Sequence, residues 1–344
     1  MRALNLYGVN DLRYDEMGLP ERKNTEVLLQ VKAVGICGSD IPRVFDKGTY
    51  HFPTVIGHEF AGKVVEAENT DLIGRNAAVF PLIPCGECSA CQCGRYAQCK
   101  QYNYYGSRCN GGMSEYIAVK KENLVFIPEG VSCKEAAMCE PVAVALHAFR
   151  KASVGIGNTI VIFGIGPIGL ILAQWAKTAG LKNIVLVARN RDKVEFAQRL
   201  GFLQTINSSE ISVRDYVLSL TNGVGADACI EGTGQSATLE ECLLAVRNFG
   251  KVVTMGNPVE AITLSQNAYW NILRKEICLI GTWNSSFTEM ENDWKDALVA
   301  MQCKQLDVLS LITHEFTLEQ YKEAFSIMRE KKELYCKIMF VIEE

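Results

Sequence analysis

With 344 residues, 48% of them hydrophobic and 22% charged, the chain has the composition of an ordinary globular protein large enough for two domains with separate cores. A net charge of −4 gives no electrostatic reason to expect nucleic acid or an anionic membrane surface as partner. No apolar run reaches the ~20 residues that span a bilayer, and Met1–Asn10 lacks the features of a signal peptide, so the expectation is a soluble cytoplasmic protein.

From Met1 to about Pro128 the pattern is short, strand-like and rich in turns. Val27–Val34, Gly62–Ala67 and Asn76–Phe80 read as strands. Between them lie two concentrations of polar chemistry, Gly35-Ile-Cys37-Gly-Ser39-Asp40 and Gly57-His58-Glu59. A lone Cys or His is more often structural than a ligand, and each run alone carries little. The next segment is stronger. Cys85, Cys88, Cys91 and Cys99 follow the spacing C-x2-C-x2-C-x7-C, which lets one loop wrap four thiolates tetrahedrally around a zinc ion. Four protein ligands leave no open position, so this site is expected to hold a lobe together and to do no chemistry. Cys93 is out of step with the spacing. The bland alternative is a surface loop with idle thiols. The other cysteines among the fourteen scatter through apolar segments, as free thiols of a reducing compartment do.

From about Val154 the character changes. Strands at Thr159–Phe163, Ile184–Val187, Ala228–Glu231 and Lys251–Met255 alternate with helices expected over Ile168–Ala179, Arg191–Leu200 and Thr238–Asn248. That alternation predicts a doubly wound parallel sheet. A helical stretch after Asn284, the run Leu311–His314 and a final strand Cys336–Ile342 are expected to return to the first domain. The expected organisation is therefore residues 1–150 and 285–344 as one domain, with 151–284 inserted as a nucleotide domain.

The first strand of the insert runs into Gly164-Ile-Gly166-Pro167-Ile168-Gly169 and then a helix. In that context the glycines serve a tight turn, close approach of a pyrophosphate, and helix–strand packing. NAD users carry an acidic residue about 20 residues on, for the ribose 2′-hydroxyl. Here Val187 is followed by Ala188-Arg189-Asn190-Arg191, with Lys193 just beyond. Guanidinium groups there suit a 2′-phosphate, so NADP(H) is expected over NAD(H). Asp192 is the counter-argument, although a place in the first helical turn would explain it equally.

Cys37, Ser39, His58, Glu59 and Cys139-Glu140-Pro141, taken with the four-cysteine loop and the glycine loop in this order, resemble the zinc-dependent medium-chain alcohol dehydrogenases. The resemblance covers essentially the whole chain. Gly38-Ser-Asp-Ile-Pro-Arg43, Gly57-His-Glu-Phe60, Tyr105-Gly-Ser-Arg108 and Leu273-Arg-Lys-Glu276 place it nearest the polyol branch, which holds sorbitol, xylitol and galactitol-1-phosphate dehydrogenases, and within it nearest the last of these. The resemblance implies a GroES-like β-rich catalytic domain with two zinc sites, a Rossmann domain, and a homodimer or homotetramer.

By position in the family pattern, Cys37, His58 and Glu140 become catalytic zinc ligands, with Cys139 a rival to Glu140. Glu59 either joins the coordination sphere or orients it. The implied reaction oxidises a secondary alcohol whose hydroxyl is acidified on zinc, with hydride passing to the nicotinamide and Ser39 relaying the proton. Asp40 either orients His58 or serves a helix N-terminus.

Arg43, Lys47, His51, Arg108 and Arg274 lie on segments that border the cleft in this family, where a phosphorylated polyol would need cations. Isolated basic residues are also commonly just solvated. Trp283 would wall the nicotinamide pocket or fill core, and His147 and His314 are assigned to structure. The Ala188-Arg189 pair departs from the NAD pattern common among polyol dehydrogenases, and Gly74-Arg-Asn-Ala-Ala78 lacks the acidic residue often found in that turn. Two other readings remain: a 2,3-butanediol or other small secondary-alcohol dehydrogenase, and, in a different class, a non-catalytic NADPH-binding redox sensor.

Overall fold

The computed structural model describes residues 1–342. The chain forms two compact units, Met1–Ala143 with the chain from Ser286 onward, and Val144–Ser285. The first is β-rich. Its seven-stranded sheet runs Leu124–Phe126, Asn76–Val79, Glu59–Glu66, Glu26–Gly35, Lys337–Val341 and Ile312–Phe316, with Tyr116–Lys120 joining Glu26–Gly35 off that path. Pairing is antiparallel except between the last two strands.

Glu26–Gly35 is apolar at Val27, Leu28, Leu29, Val31, Ala33 and Val34, all buried, as expected of a central strand covered on both faces. Leu29, Val31, Ile56, Phe60, Ile338 and Phe340 belong to the core it organises. The register sets Glu59 against Gly35 on one side and Met339 against Gly35 on the other. Three chain segments far apart in sequence therefore meet at one strand end. Gly35 has a steric reason to lack a side chain: a Cβ there would collide with the Glu59 carboxylate.

In the second unit six parallel strands lie in the order Thr205–Asn207, Asn183–Ala188, Thr159–Phe163, Ala226–Glu231, Val246–Thr254, Cys278–Gly281. Numbered along the chain this is 3-2-1-4-5-6, the doubly wound order with its switch point beside Thr159–Phe163. The expected parallel sheet is present. One boundary needs correction. The helix expected over Thr238–Asn248 is Ser236–Ala245, and the strand starts at Val246, well before Lys251. β-Branched Val246, Asn248 and Gly250 are poor helix formers, and Val246, Val252 and Val253 are buried in the sheet core. The helix expected after Asn284 begins only at Asp293, where the Asn292 side chain caps it by accepting from the Trp294 and Lys295 amides. Among the described residues no helix is long and apolar enough to cross a membrane.

Candidate metal centre and dinucleotide site

The four-cysteine loop folds around Ser89–Gln92, one turn of helix. The sulfurs of Cys85, Cys88, Cys91 and Cys99 all lie within 4.8 Å of one another. The Cys88–Cys91 and Cys85–Cys91 sulfur distances are 3.5 and 3.8 Å. A tetrahedron with Zn–S bonds of about 2.3 Å has edges of about 3.8 Å, so the thiols stand where a zinc ion would put them. The Cys91 backbone N–H draws the Cys88 thiol down to about 6, while burial pushes Cys91 up to about 12. Cys93 is exposed, and no disulfide forms among the described residues.

The second cluster lies at the strand junction of the same unit. Ligand atoms of Cys37, His58 and Glu59 all fall within 4.8 Å of one another. Gly57, at φ +94°, turns the chain so that His58 and Glu59 enter the sheet together, both buried. Glu140, at the start of helix Cys139–Ala152, is buried but is not a member of that mutual set. Its Oε1 receives the Tyr104 hydroxyl at 3.5 Å, and Tyr104 lies 5.7 Å from the His58 ring. Cys139 is fully buried and its thiol points to the Trp294 carbonyl, 3.5 Å away. Ser39 is exposed at the N-terminus of the short helix Asp40–Pro42 and makes no side-chain cap bond.

Two cations hold part of this acidity. Arg43 donates to Asp40 at 2.5 Å, and Asp40, fully buried, also accepts the Cys37 amide at 3.0 Å. Its Oδ1 lies 3.6 Å from His58 Nδ1, a buried nitrogen with no hydrogen-bond partner among the described residues. Lys337 Nζ donates to Glu59 at 2.5 Å and to the Ile36 carbonyl at 3.2 Å. Burial works to lower the Lys337 pKa, but Glu59 and Cys37 outweigh it and raise the net value. Arg43 and Lys337 thus answer Asp40 and Glu59, while Cys37, His58 and Glu59 remain the mutual set and Glu140, the ligand implied by the family pattern, stands outside it. Burial, then Glu59 and Asp40, push the Cys37 thiol up to about 12, and burial, reinforced by Glu59, carries Glu140 to about 7. Mixed sulfur, nitrogen and oxygen donors suit zinc far better than magnesium or calcium, and a bound dication would favour the charged forms that burial and the neighbouring carboxylates oppose.

Neither Lys337 nor Tyr104 was among the sequence candidates. Lys337 had a signal, a lysine opening an otherwise apolar strand. Tyr104 stands beside the Tyr105-Gly-Ser-Arg108 run without a pattern of its own.

In the second unit, Thr159–Phe163 is buried throughout and Gly164 follows at φ +104°. Gly166 is the extended N-cap of helix Pro167–Thr178, and no side chain caps it. The first N–H groups of that helix are thus left to an anion. A Cβ at Gly166 would meet nothing within 4 Å, so there is open space in front of the helix; one at Gly169 would strike the Gly164 carbonyl. Pro167 and Ile168 are partly exposed beside the loop. The residues fit a dinucleotide pyrophosphate.

Strand Asn183–Ala188 ends at the predicted ribose position, with Ala188 partly buried and Arg189 exposed. Arg189 makes no ion pair or side-chain hydrogen bond among the described residues. Asn190 caps the next helix by accepting from the Lys193 amide, Asp192 sits in its first turn, and Arg191 faces Glu195 at 3.8 Å on the surface. Elsewhere Trp283 is 53% exposed and so fills no core, His147 is buried, and His314 bonds Thr313 at 2.9 Å.

Comparison with known proteins agrees with this geometry. Residues 23–129 match the family described as alcohol dehydrogenase GroES-like domain, and residues 167–302 the zinc-binding dehydrogenase family. The galactitol 1-phosphate 5-dehydrogenase of Escherichia coli K12 is 33% identical over 325 residues, 92% of this chain and 94% of that protein. The chain is a zinc-dependent medium-chain alcohol dehydrogenase of the polyol branch. A sorbitol dehydrogenase of Halalkalibacterium halodurans is 30% identical to it, with 96% of each chain covered. The crystal structure of E. coli galactitol-1-phosphate dehydrogenase superposes with a TM-score of 0.93 at 30% identity, covering 99% of this chain and all of that one. A zinc-binding dehydrogenase of Sinorhizobium meliloti bound to NADP gives 0.89 at 26% identity, with 99% of each chain covered. An alcohol dehydrogenase of E. coli CFT073 complexed with NADH gives 0.91, also at 26% identity and 99% of each. The β-rich unit is the GroES-like domain and the parallel-sheet unit the Rossmann domain.

Proposed function

We propose that this medium-chain dehydrogenase oxidises a secondary hydroxyl of a polyol or polyol phosphate resembling galactitol 1-phosphate to the ketose or ketose phosphate. It would work with two zinc ions per chain and with NADP(H) in preference to NAD(H). The observation that carries the reading is the Cys37–His58–Glu59 cluster with Glu140 beside it, in the same unit as a separate thiol site already complete with four ligands. Bound at the first cluster, zinc supplies Lewis acidity to a substrate hydroxyl, and a nicotinamide supplies the hydride acceptor.

The chain's own residues do the rest. Cys37, His58 and Glu140 would hold the metal, with Glu59 close enough to join them, and the Asp40 carboxylate lies 3.6 Å behind His58 Nδ1. Lys337 pairs with the Glu59 carboxylate and ties it to the sheet beside Cys37 and His58. Ser39, exposed and with its hydroxyl uncommitted to a helix cap, takes the proton released from the substrate toward solvent. NADP(H) preference is supported by Arg189 at the end of strand Asn183–Ala188, exposed and without an ion pair among the described residues.

A panel of free and phosphorylated polyols, with 2,3-butanediol included, assayed with both NADP and NAD, tests the proposal. Turnover of polyols with NADP is expected; activity confined to 2,3-butanediol contradicts the substrate, and equal use of NAD the cofactor. Arg189→Asp should shift the NADP/NAD ratio of kcat/KM toward NAD by about 10- to 100-fold, the contribution of one charge-assisted clamp.

A further inference from the structure

Five basic residues lie on segments that could meet an anionic substrate, and the structure separates them. Arg43 is spent on Asp40. The His51 ring lies between Thr54 Oγ1 at 3.0 Å and the Arg108 carbonyl at 3.1 Å. Lys47 is exposed, and Arg274 is an exposed residue of the Rossmann unit stacked on Trp270. Arg108 differs from all of them. Its Cζ lies 4.0 Å from the centre of the Tyr50 ring and 4.5 Å from that of Tyr102. Arg13, Arg75 and Arg329 each lie over one ring, and Arg13 also pairs with Asp11. Arg108 has two rings and, among the described residues, no carboxylate partner and no side-chain hydrogen bond.

Aromatic contacts occupy the faces of a guanidinium and leave its N–H edge free, and that edge matches an oxyanion bidentately. The surroundings are tied down. The Arg108 amide donates to the Tyr104 carbonyl at 2.9 Å, and the Tyr50 amide to Ser107 at 3.5 Å. With the His51 bridge, these bonds join the segment around 50–54 to the segment 104–108. The rotamer freedom that a long cation loses on binding is already reduced here. The stack also leads to the metal centre: Tyr102 meets Tyr104 edge-on at 6.3 Å, and Tyr104 bonds Glu140 and faces His58.

We propose that Arg108, held over the rings of both Tyr50 and Tyr102, is the receptor for the phosphate of a phosphorylated polyol whose hydroxyl is oxidised at the centre of Cys37, His58, Glu59 and Glu140. This assignment rests on the dehydrogenase reading above and selects the phosphorylated branch of it. Arg108 is a specificity residue: it holds the charged end of the substrate and takes no part in hydride or proton transfer.

The test compares galactitol 1-phosphate with galactitol. For Arg108→Gln the ratio of kcat/KM for the phosphorylated over the free polyol should fall about 30-fold or more, mainly through KM, as loss of a charge-assisted pair implies. Arg108→Lys should recover little, because an ammonium neither stacks flat nor binds bidentately. Tyr50→Leu and Tyr102→Leu should each lower the ratio about 3-fold by loosening the clamp. An unchanged ratio in Arg108→Gln overturns the assignment, as does a rise confined to the KM for NADP. If the wild-type protein turns over neither polyol, the dehydrogenase reading fails and calorimetric titration with galactitol 1-phosphate judges the subsite alone. Binding that disappears in Arg108→Gln then supports it, and absence of binding to the wild type overturns it.

Discussion

The lobe at Cys85–Cys99 takes four thiols from fifteen consecutive residues of one loop. The other cluster takes Cys37 from the end of one strand, His58 and Glu59 from the start of its neighbour, and Glu140 from a helix. Their charge is managed differently as well. The loop stabilises its thiolates with its own backbone N–H groups, chiefly at Cys85 and Cys88. The junction buries Asp40 and Glu59 and answers them with Arg43 and Lys337, the latter 278 residues from Glu59 in sequence. A closed site built by one loop can be lost without unfolding the sheet. An open site at a sheet junction shares its residues with the core, and disturbing it is felt in the fold.

That contrast can be broken in three places. Cys37→Ser should abolish turnover, by a factor on the order of 10³ or more if Lewis acidity supplies several kcal/mol, while metal analysis still finds the zinc of the lobe. Cys88→Ser should do the reverse, losing the lobe metal and keeping the one at the junction. Loss of both metals in either variant would mean that the sites are not independent.

Next in size is Lys337→Met, which leaves Glu59 buried without its cation. About 3–5 kcal/mol of unfolding free energy should disappear in urea denaturation, and Glu59→Gln in the same chain should restore part of it. A loss under about 1 kcal/mol would show that the pair is not holding the junction.

The smallest effect concerns the platform of Glu140. Ser132 and Glu135 form a capping box on the helix Cys133–Ala137, immediately before Cys139–Ala152. Burial works to raise the Glu135 carboxyl, but the Ser132 amide and hydroxyl and Lys304 outweigh it and hold it below its ordinary value. Glu135→Ala should cost about 1 kcal/mol at neutral pH. Because the folded-state pKa is the lower one, that contribution is complete above the unfolded-state value of about 4.3 and fades as pH falls through the folded one. Wild type and variant should therefore converge in stability as the pH falls below the folded-state value; a gap independent of pH would remove the carboxylate from the account.

The same contrast explains what could be read from the residues. The four-thiol cluster was legible because its cysteines lie close together in sequence and their spacing alone brings the sulfurs together. The Gly164–Gly169 loop was legible because strand, turn and helix are contiguous, and the alternation after Val154 implied the parallel sheet. The Lys337–Glu59 pair was not, because strand register and not local pattern brings Lys337 to Glu59 and the Ile36 carbonyl. Tyr104 escaped for the same reason: what distinguishes it from Tyr102 and Tyr105 is the hydroxyl's approach to Glu140, a tertiary fact. The end of helix Ser236–Ala245 was missed because the apolar run Leu243–Val246 passes from helix into strand, while the turn-favouring Asn248 and Gly250 come only after the strand has begun.

The central claim is an open metal site at the strand junction beside a closed one in the loop. Anomalous diffraction from crystals of the purified protein, recorded on both sides of the zinc edge, tests it most directly. Two peaks per chain are predicted, one among the sulfurs of Cys85, Cys88, Cys91 and Cys99 and one touching Cys37 and His58. A single peak, in the four-cysteine loop alone, would contradict the account.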